Sequence, residues 1–303
     1  MGEKKGVTYF SESDNQGGKS NILPSFPNSN KIRIEKRTVY FGEWPQTIKN
    51  PDVTVDESAT DHRGYYRGSD GEFYEKVIAK PYYKGYTFSD KSEIVRDNTY
   101  YFKVEQLKWT IIKEEGKKLL IHCDNIVFNK SYQSNFGKDE DGDIVTDFND
   151  APPDTYASNY YHSEIRDWLI NVFLPIIEKG SDYDIDAFRI LDYNVSESKP
   201  DVFDKVFLLC KEEVENYGTG YKPHMRSATD YAKACGAYVY GAMSGVKSRA
   251  SGKGWWWLRT PCSSEGQDTV HAIDQNGVTN YAWIWVAGYG IVPALYIEIL
   301  EKN

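Results

Sequence analysis

The chain has 303 residues, enough for one large domain or two small ones, and a chain of that length folds without disulfide support. Its formal net charge is −9 and it has no Lys/Arg run, which argues against nucleic acid as a partner, since that demands a basic face. No stretch is apolar and long enough to span a membrane, and residues 1–30 lack the apolar centre of a signal peptide; the location stays open between the cell interior and, had a leader been removed, a phage-associated or cell-surface site.

Residues 1–31, rich in Ser, Asn, Gly, Lys and Pro, read as a flexible tail before a single domain over 32–303. A strand is expected in "TVYFGEW" (38–44), with Gly42 and Pro45 marking a turn after Phe41. "RGSDGE" (67–72) reads as a turn ahead of a strand in "EFYEKVIA". "TYYFKVEQLKWTII" (99–112) and "LLIHCDNIVF" (119–128) read as antiparallel strands joined around Gly116. The acid-rich run 137–150 does not have calcium-loop spacing, because Gly142 is not sixth from Asp139 or Asp141, and reads as a solvated loop.

The clearest helix starts at Ser163 as its N-cap. Ile165, Trp168, Leu169, Val172 and Phe173 recur at i, i+3, i+4, i+7 and i+8, which makes them a core stripe, and Pro175 is expected to end or kink the helix. "DKVFLLC" (204–210) reads as a strand, "KEEVENYG" (211–218) as a short helix closed by Gly218, and "SATDYAKACGAYVYG" (227–241) as a further helix starting near Ser227 or Thr229. "GWWWLRTP", "DTVHAID" and "VTNYAWIWVA" then alternate strands and turns, with Asn276-Gly277 a hairpin signal, before a last strand in "GIVPALYIEIL".

Four cysteines without a CxxC pair exclude a zinc ribbon, and Cys123 and Cys210 end apolar runs as reduced core thiols. The histidines show no HExxH or HxH pattern, and a nucleophile elbow, a Walker loop and a dinucleotide fingerprint are missing; "GTGYKP" (218–223) is too short to stand for one. No catalytic residue, metal ligand or cofactor is assigned. Asp268 and Asp274 could pair as glycosidase carboxylates, or join Asn276 around calcium, but they flank a hairpin turn, where surface acids are routine.

Four blocks carry a resemblance: "VYFGEWPQT" (39–47), "YYFKVEQLKWTII" (100–112), "SEIRDWL" (163–169), and "WWWLRTP" (255–261) followed by "GIVPAL" (290–295). In this order they resemble a widespread bacterial domain family reading FGxYPQ, SxIRxWLN, WWLRSP and GVRPAL. That family looks like a relative of the formylglycine-generating-enzyme type of C-type lectin fold, which some variable proteins of diversity-generating retroelements use. The resemblance implies an α+β fold of C-type lectin type, with mostly antiparallel twisted sheets and two or three helices. It also implies a variable, ligand-binding region at about 255–295. Two departures stand out: Val292 replaces the family's arginine, and Cys262 its small residue. Oxidase chemistry of the formylglycine-generating type needs two nearby cysteines, and only Cys262 lies in that region.

In "NYAWIWVAGYG" (280–290), strand alternation puts Tyr281, Trp283 and Trp285 on one face and Ala282, Ile284 and Val286 on the other. On the pattern alone the aromatic face is core; the resemblance turns it towards a partner. The expected function is non-catalytic recognition of a protein or carbohydrate. Tyr281, Trp283, Trp285 and Tyr289 would be anchors, Gln267, Asp268, His271, Gln275 and Asn280 adaptable polar contacts, and Trp255 to Arg259 the scaffold beneath. An oxidase relative, or a structural subunit of a phage tail or surface assembly, is the alternative.

Overall fold

The structure is a computed structural model that describes residues 32–134, 158–180, 188–196, 201–216, 224–241, 249–262, 264–265 and 268–300. The tail 1–31, the acid-rich run 137–150, Gly218, the "GTGYKP" run and Gln267 lie outside those residues.

Strand Thr99–Glu115 organises the main sheet. Phe102 and Val104, then Leu107, Trp109 and Ile111, are buried, so its alternation slips phase once midway. Its first half pairs antiparallel with Phe73–Ile78, and its second half with Lys118–Cys123 across a turn where Gly116 has φ 64°. Thr38–Ile48 runs along the opposite edge. On one flank the sheet continues through Ala294–Ile299 to Phe188–Leu191, and on the other through Tyr66–Gly68 to Val55–Thr60.

The turn expected after Phe41 is instead a bulged stretch of one 11-residue strand. The register shifts between Tyr40 and Glu43 and again between Pro45 and Thr47. Gly42, at φ 69°, lets the backbone pass over Ile177, whose side chain would overlap any β-carbon there. Pro45, with no N–H to give the ladder, sits at the edge of the second shift.

The helices are where the α+β, C-type lectin expectation fails. Strands account for 45% and helix for 14%, and the sheets are mostly antiparallel, so the fold is mostly β. Among the described residues each α-helical segment is seven residues or fewer: Glu164–Trp168, Leu174–Gly180, Lys211–Asn216 and Asp230–Cys235. The predicted Ser163 cap is present, its Oγ accepting from Arg166 N at 3.2 Å. The helix does not stop at Pro175, because a π turn over Leu169–Phe173 precedes it and the chain continues helical through Leu174–Gly180. That wider turn rotates Val172 off the buried stripe into solvent, while Ile165, Leu169 and Phe173 stay buried. The helix expected over 227–241 ends at Cys235, because Gly236 takes a left-handed φ of 113° and its N–H closes on the last turn.

Four tryptophans centre the core, and each indole N–H finds a backbone carbonyl: Trp44 to Val127 O, Trp109 to Phe41 O, Trp256 to His224 O and Trp257 to Lys130 O, all within 3.1 Å.

Candidate functional site

A five-stranded sheet carries the C-terminal aromatic segment. Its order is Thr279–Trp283, Thr269–Ile273, Trp256–Pro261, Gly290–Ile291 and Phe128–Asn129, so the aromatic strand is an edge. The hairpin between the first two is fixed by Asp274. Its Oδ1 accepts from Asn276 N at 2.8 Å and Val278 N at 3.0 Å, and Gly277 supplies the φ of 79° that the turn requires. Asp274 is therefore a turn-forming, buried acid, which accounts for it without calcium or glycoside chemistry.

The alternation is the one the residues pattern. Ala282 and Ile284 are 5% and 1% exposed and join the core, with Val286 packed against it; Tyr281, Trp283 and Trp285 are 41%, 53% and 43% exposed. Trp283 and Trp285 lie nearly parallel, ring centroids 6.0 Å apart at 8°. Cross-strand pairing sets Tyr281 opposite His271 and Trp283 opposite Thr269. The Glu265 carboxylate beside the Tyr281 hydroxyl raises that phenol's pKa. His271 is half-buried and directs Nδ1 to Asn280 O at 3.2 Å; burial, aided by Lys211, lowers its pKa, so its ring is neutral at pH 7.

Hydrogen bonds from a distant segment hold the chain beyond Trp283. Gln133 N donates to Ile284 O at 3.1 Å, Ser131 Oγ to Trp285 O at 3.2 Å, Asn129 Nδ2 to Ala287 O at 3.0 Å, and Lys130 N to Tyr289 O at 3.2 Å. On its other side Tyr238 N donates to Gly288 O at 2.7 Å, and the Tyr82 ring occupies the space a β-carbon on Gly288 would need. The two exposed indoles thus project from a backbone fixed on both flanks, which lowers the entropy lost when a ligand settles on them.

The remaining sequence candidates divide. Asn280 is exposed at the edge, its Oδ1 accepting from Tyr281 N at 2.9 Å. Asp268 stands at the hairpin's open end, its carbonyl accepting from Ile284 N at 3.0 Å. Gln275 and Tyr289 do not join the exposed face. Gln275 Oε1 accepts from Trp255 Nε1, and Tyr289 stacks on Trp255 at 4.9 Å, its phenol pushed up to about 12 by burial. Arg259 lies beneath, buried, with Nη1 and Nη2 on the two Glu213 oxygens at 2.7 and 3.0 Å and its Nε on Val195 O at 3.0 Å. Sequence reasoning missed the brace of Asn129 to Gln133 and the Tyr82–Tyr238 packing. Its only local signals were Gly288, small where a ring must fit, and an apolar pair, Val127–Phe128, ahead of Asn129.

Among the described residues no three His, Cys, Asp or Glu side chains gather as metal ligands. The family described as Domain of unknown function (DUF6273) matches residues 115–299, more than half of the chain. The chain belongs to the DUF6273 family. Its matched part runs from the hairpin after strand Thr99–Glu115 to the end of Ala294–Ile299, so it contains the whole aromatic site. The first strands of the DUF6273 protein's main sheet lie outside it. No curated protein and no solved structure matches the chain.

Proposed function

We propose that this DUF6273 protein is a non-catalytic recognition protein whose Tyr281, Trp283 and Trp285 face holds a protein or carbohydrate ligand. The observation that carries the reading is the parallel pair of indoles, both more than two fifths exposed while their neighbours Ala282 and Ile284 are buried. Leaving large rings in water costs folding free energy, roughly 25 cal/mol per Å² of apolar surface, and a binding partner recovers it. Tryptophan and tyrosine contribute much contact area with few rotatable bonds, the pattern of interface anchors. Asn280, His271, Asp268 and Glu265 surround the rings with hydrogen-bonding groups that orient a polar ligand.

The edge position favours side-chain contact over strand addition. In the hairpin register the Tyr281 N–H points away from the partner strand, and Asn280 Oδ1 covers it. The test screens the chain and its Trp283→Ala/Trp285→Ala variant against immobilised glycans and purified proteins. Ligands retained by the first and lost by the second support the reading; a ligand held equally by both places recognition elsewhere.

A further inference from the structure

A second set of aromatic rings reaches solvent beside the segment that carries the indoles. Tyr82 and Tyr83 are 39% and 45% exposed, about as far into water as Trp285. Their rings meet edge to face at 4.7 Å, and the half-buried Tyr238 closes on both, at 5.4 and 6.3 Å. The Tyr82 ring lies on Gly288, which is three residues beyond Trp285; Ala287 between them is small and exposed. The backbone from Trp285 to Gly288 spans at most about 11 Å, so the indoles and the tyrosines border one stretch of surface.

The tyrosine pair is held on both sides. Lys80 N donates to Ala234 O at 2.7 Å and Arg96 Nη2 to Pro81 O at 2.6 Å, while the buried Tyr86 hydroxyl donates to Val239 O at 3.0 Å. Both tyrosines precede the stretch that the family matches, residues 115–299, so the earlier segment adds its own rings to the surface.

Area and shape select the ligand. An aromatic side chain carries about 150–250 Å² of contact area, so the exposed parts of Tyr281, Trp283, Trp285, Tyr82 and Tyr83 offer about 300–550 Å² together. A stable protein partner covers about 800 Å² on each side, more than these rings provide. A peptide adding as a strand is turned away at the edge, where Asn280 Oδ1 covers the Tyr281 N–H. What fits is narrow, long and built of flat apolar faces with polar edges. Sugar rings joined through equatorial bonds have that form, with C–H faces for the parallel indoles and hydroxyls for the phenol tips.

We propose that Tyr82, Tyr83 and Tyr238 form a second subsite of the aromatic face, and that the two subsites together hold an uncharged, linear oligosaccharide of equatorially linked sugars. This narrows the recognition reading above, on which it rests, to a glycan chain. One end of the chain lies on Trp283 and Trp285, and the other crosses Ala287 and Gly288 to the tyrosines. Burial raises the Tyr82 and Tyr238 phenols, so both stay protonated at neutral pH and donate to sugar oxygens.

Calorimetric titration of the full chain with β-1,4-linked dimers and hexamers of glucose, mannose, xylose and N-acetylglucosamine tests this. At least one hexamer is expected to bind at least about tenfold more tightly than its dimer, because it spans both subsites. Tyr82→Ala/Tyr83→Ala should bring the hexamer down to the dimer's affinity, and Trp283→Ala/Trp285→Ala should weaken both. If no hexamer binds, if none exceeds its dimer, or if the tyrosine variant keeps the hexamer's advantage, the second subsite is overturned. The indole reading survives those results wherever the tryptophan variant still loses a glycan or a protein that the wild type holds. A hexamer held equally by the tryptophan variant overturns the indole reading, and this proposal with it. Should the double tyrosine variant not fold, Tyr83→Ala, at the more exposed ring, takes its place and is judged by the same loss of the hexamer's advantage.

Discussion

Trp283 and Trp285, two residues apart, present parallel rings to solvent while Ile284 between them is sealed in the core. One peptide unit thus anchors the segment inward and displays two indoles outward. The anchor and the display have separable energetics, and the predictions below rest on that separation.

Asn280 guards the strand edge by covering the Tyr281 N–H. Asn280→Ala should leave stability within about 0.5 kcal/mol but promote self-association through the freed edge. Light scattering at rising concentration reads this, and scattering the same as that of the wild type would show that the cover is incidental.

Arg259 and Glu213 form a buried pair joining strand Trp256–Pro261 to helix Lys211–Asn216. Glu213→Ala leaves a buried guanidinium without its carboxylate, at a cost of about 3–5 kcal/mol. Urea unfolding should report a loss of that order. A loss below about 1 kcal/mol would mean that water reaches Arg259.

Gly290 packs against Ile126, whose branched carbons fall within 2.9 Å of where a β-carbon would stand. Gly290→Ala should cost about 1–3 kcal/mol by overpacking, visible as a lower melting temperature. Gly64→Ala, with no neighbour within 4 Å, serves as the contrast: its φ of 97° costs backbone strain alone.

Glu75, half-buried on strand Phe73–Ile78, has its carboxyl raised by burial to about 7 in the fold against an ordinary 4.5. Its contribution to stability is whole below pH 4.5, declines as pH rises through about 7, and is flat beyond. Glu75→Gln lacks that decline. Relative to wild type, the variant should therefore gain about 3 kcal/mol of stability between pH 4.5 and 7.5. Denaturant midpoints of both proteins across that range measure the gain, and parallel curves would refute the burial of Glu75.

Strand positions and the Asn276-Gly277 hairpin were legible because they depend on neighbours in sequence, as was the Ser163 cap. The split of Ala282 and Ile284 from Tyr281, Trp283 and Trp285 was legible as alternation, but which side faces water was not, since two-residue periodicity has no sign. That depended on the register with Thr269–Ile273 and on the packing of Ile284 beside Gln133. The fold class was misread because short helical stripes were weighed as full helices. The π turn at Leu169–Phe173 and the left-handed Gly236 cut them short, and neither is visible in apolar spacing. Gln275 and Tyr289 were assigned to the ligand for their chemistry, whereas contact with Trp255, 20 and 34 residues upstream, commits them to the scaffold.

The most direct test of the account is acrylamide quenching of tryptophan fluorescence, with thermal melting, on the chain and on Trp283→Ala/Trp285→Ala. The six other tryptophans are buried or half-buried, so quenching in the wild type comes mainly from these two. The account predicts a sharp drop in quenching with the melting temperature nearly unchanged, as for surface substitutions within about 0.5 kcal/mol each. Unchanged quenching and a loss of the roughly 3–5 kcal/mol per residue that core tryptophans carry would contradict it, because the indoles would then be holding the fold together.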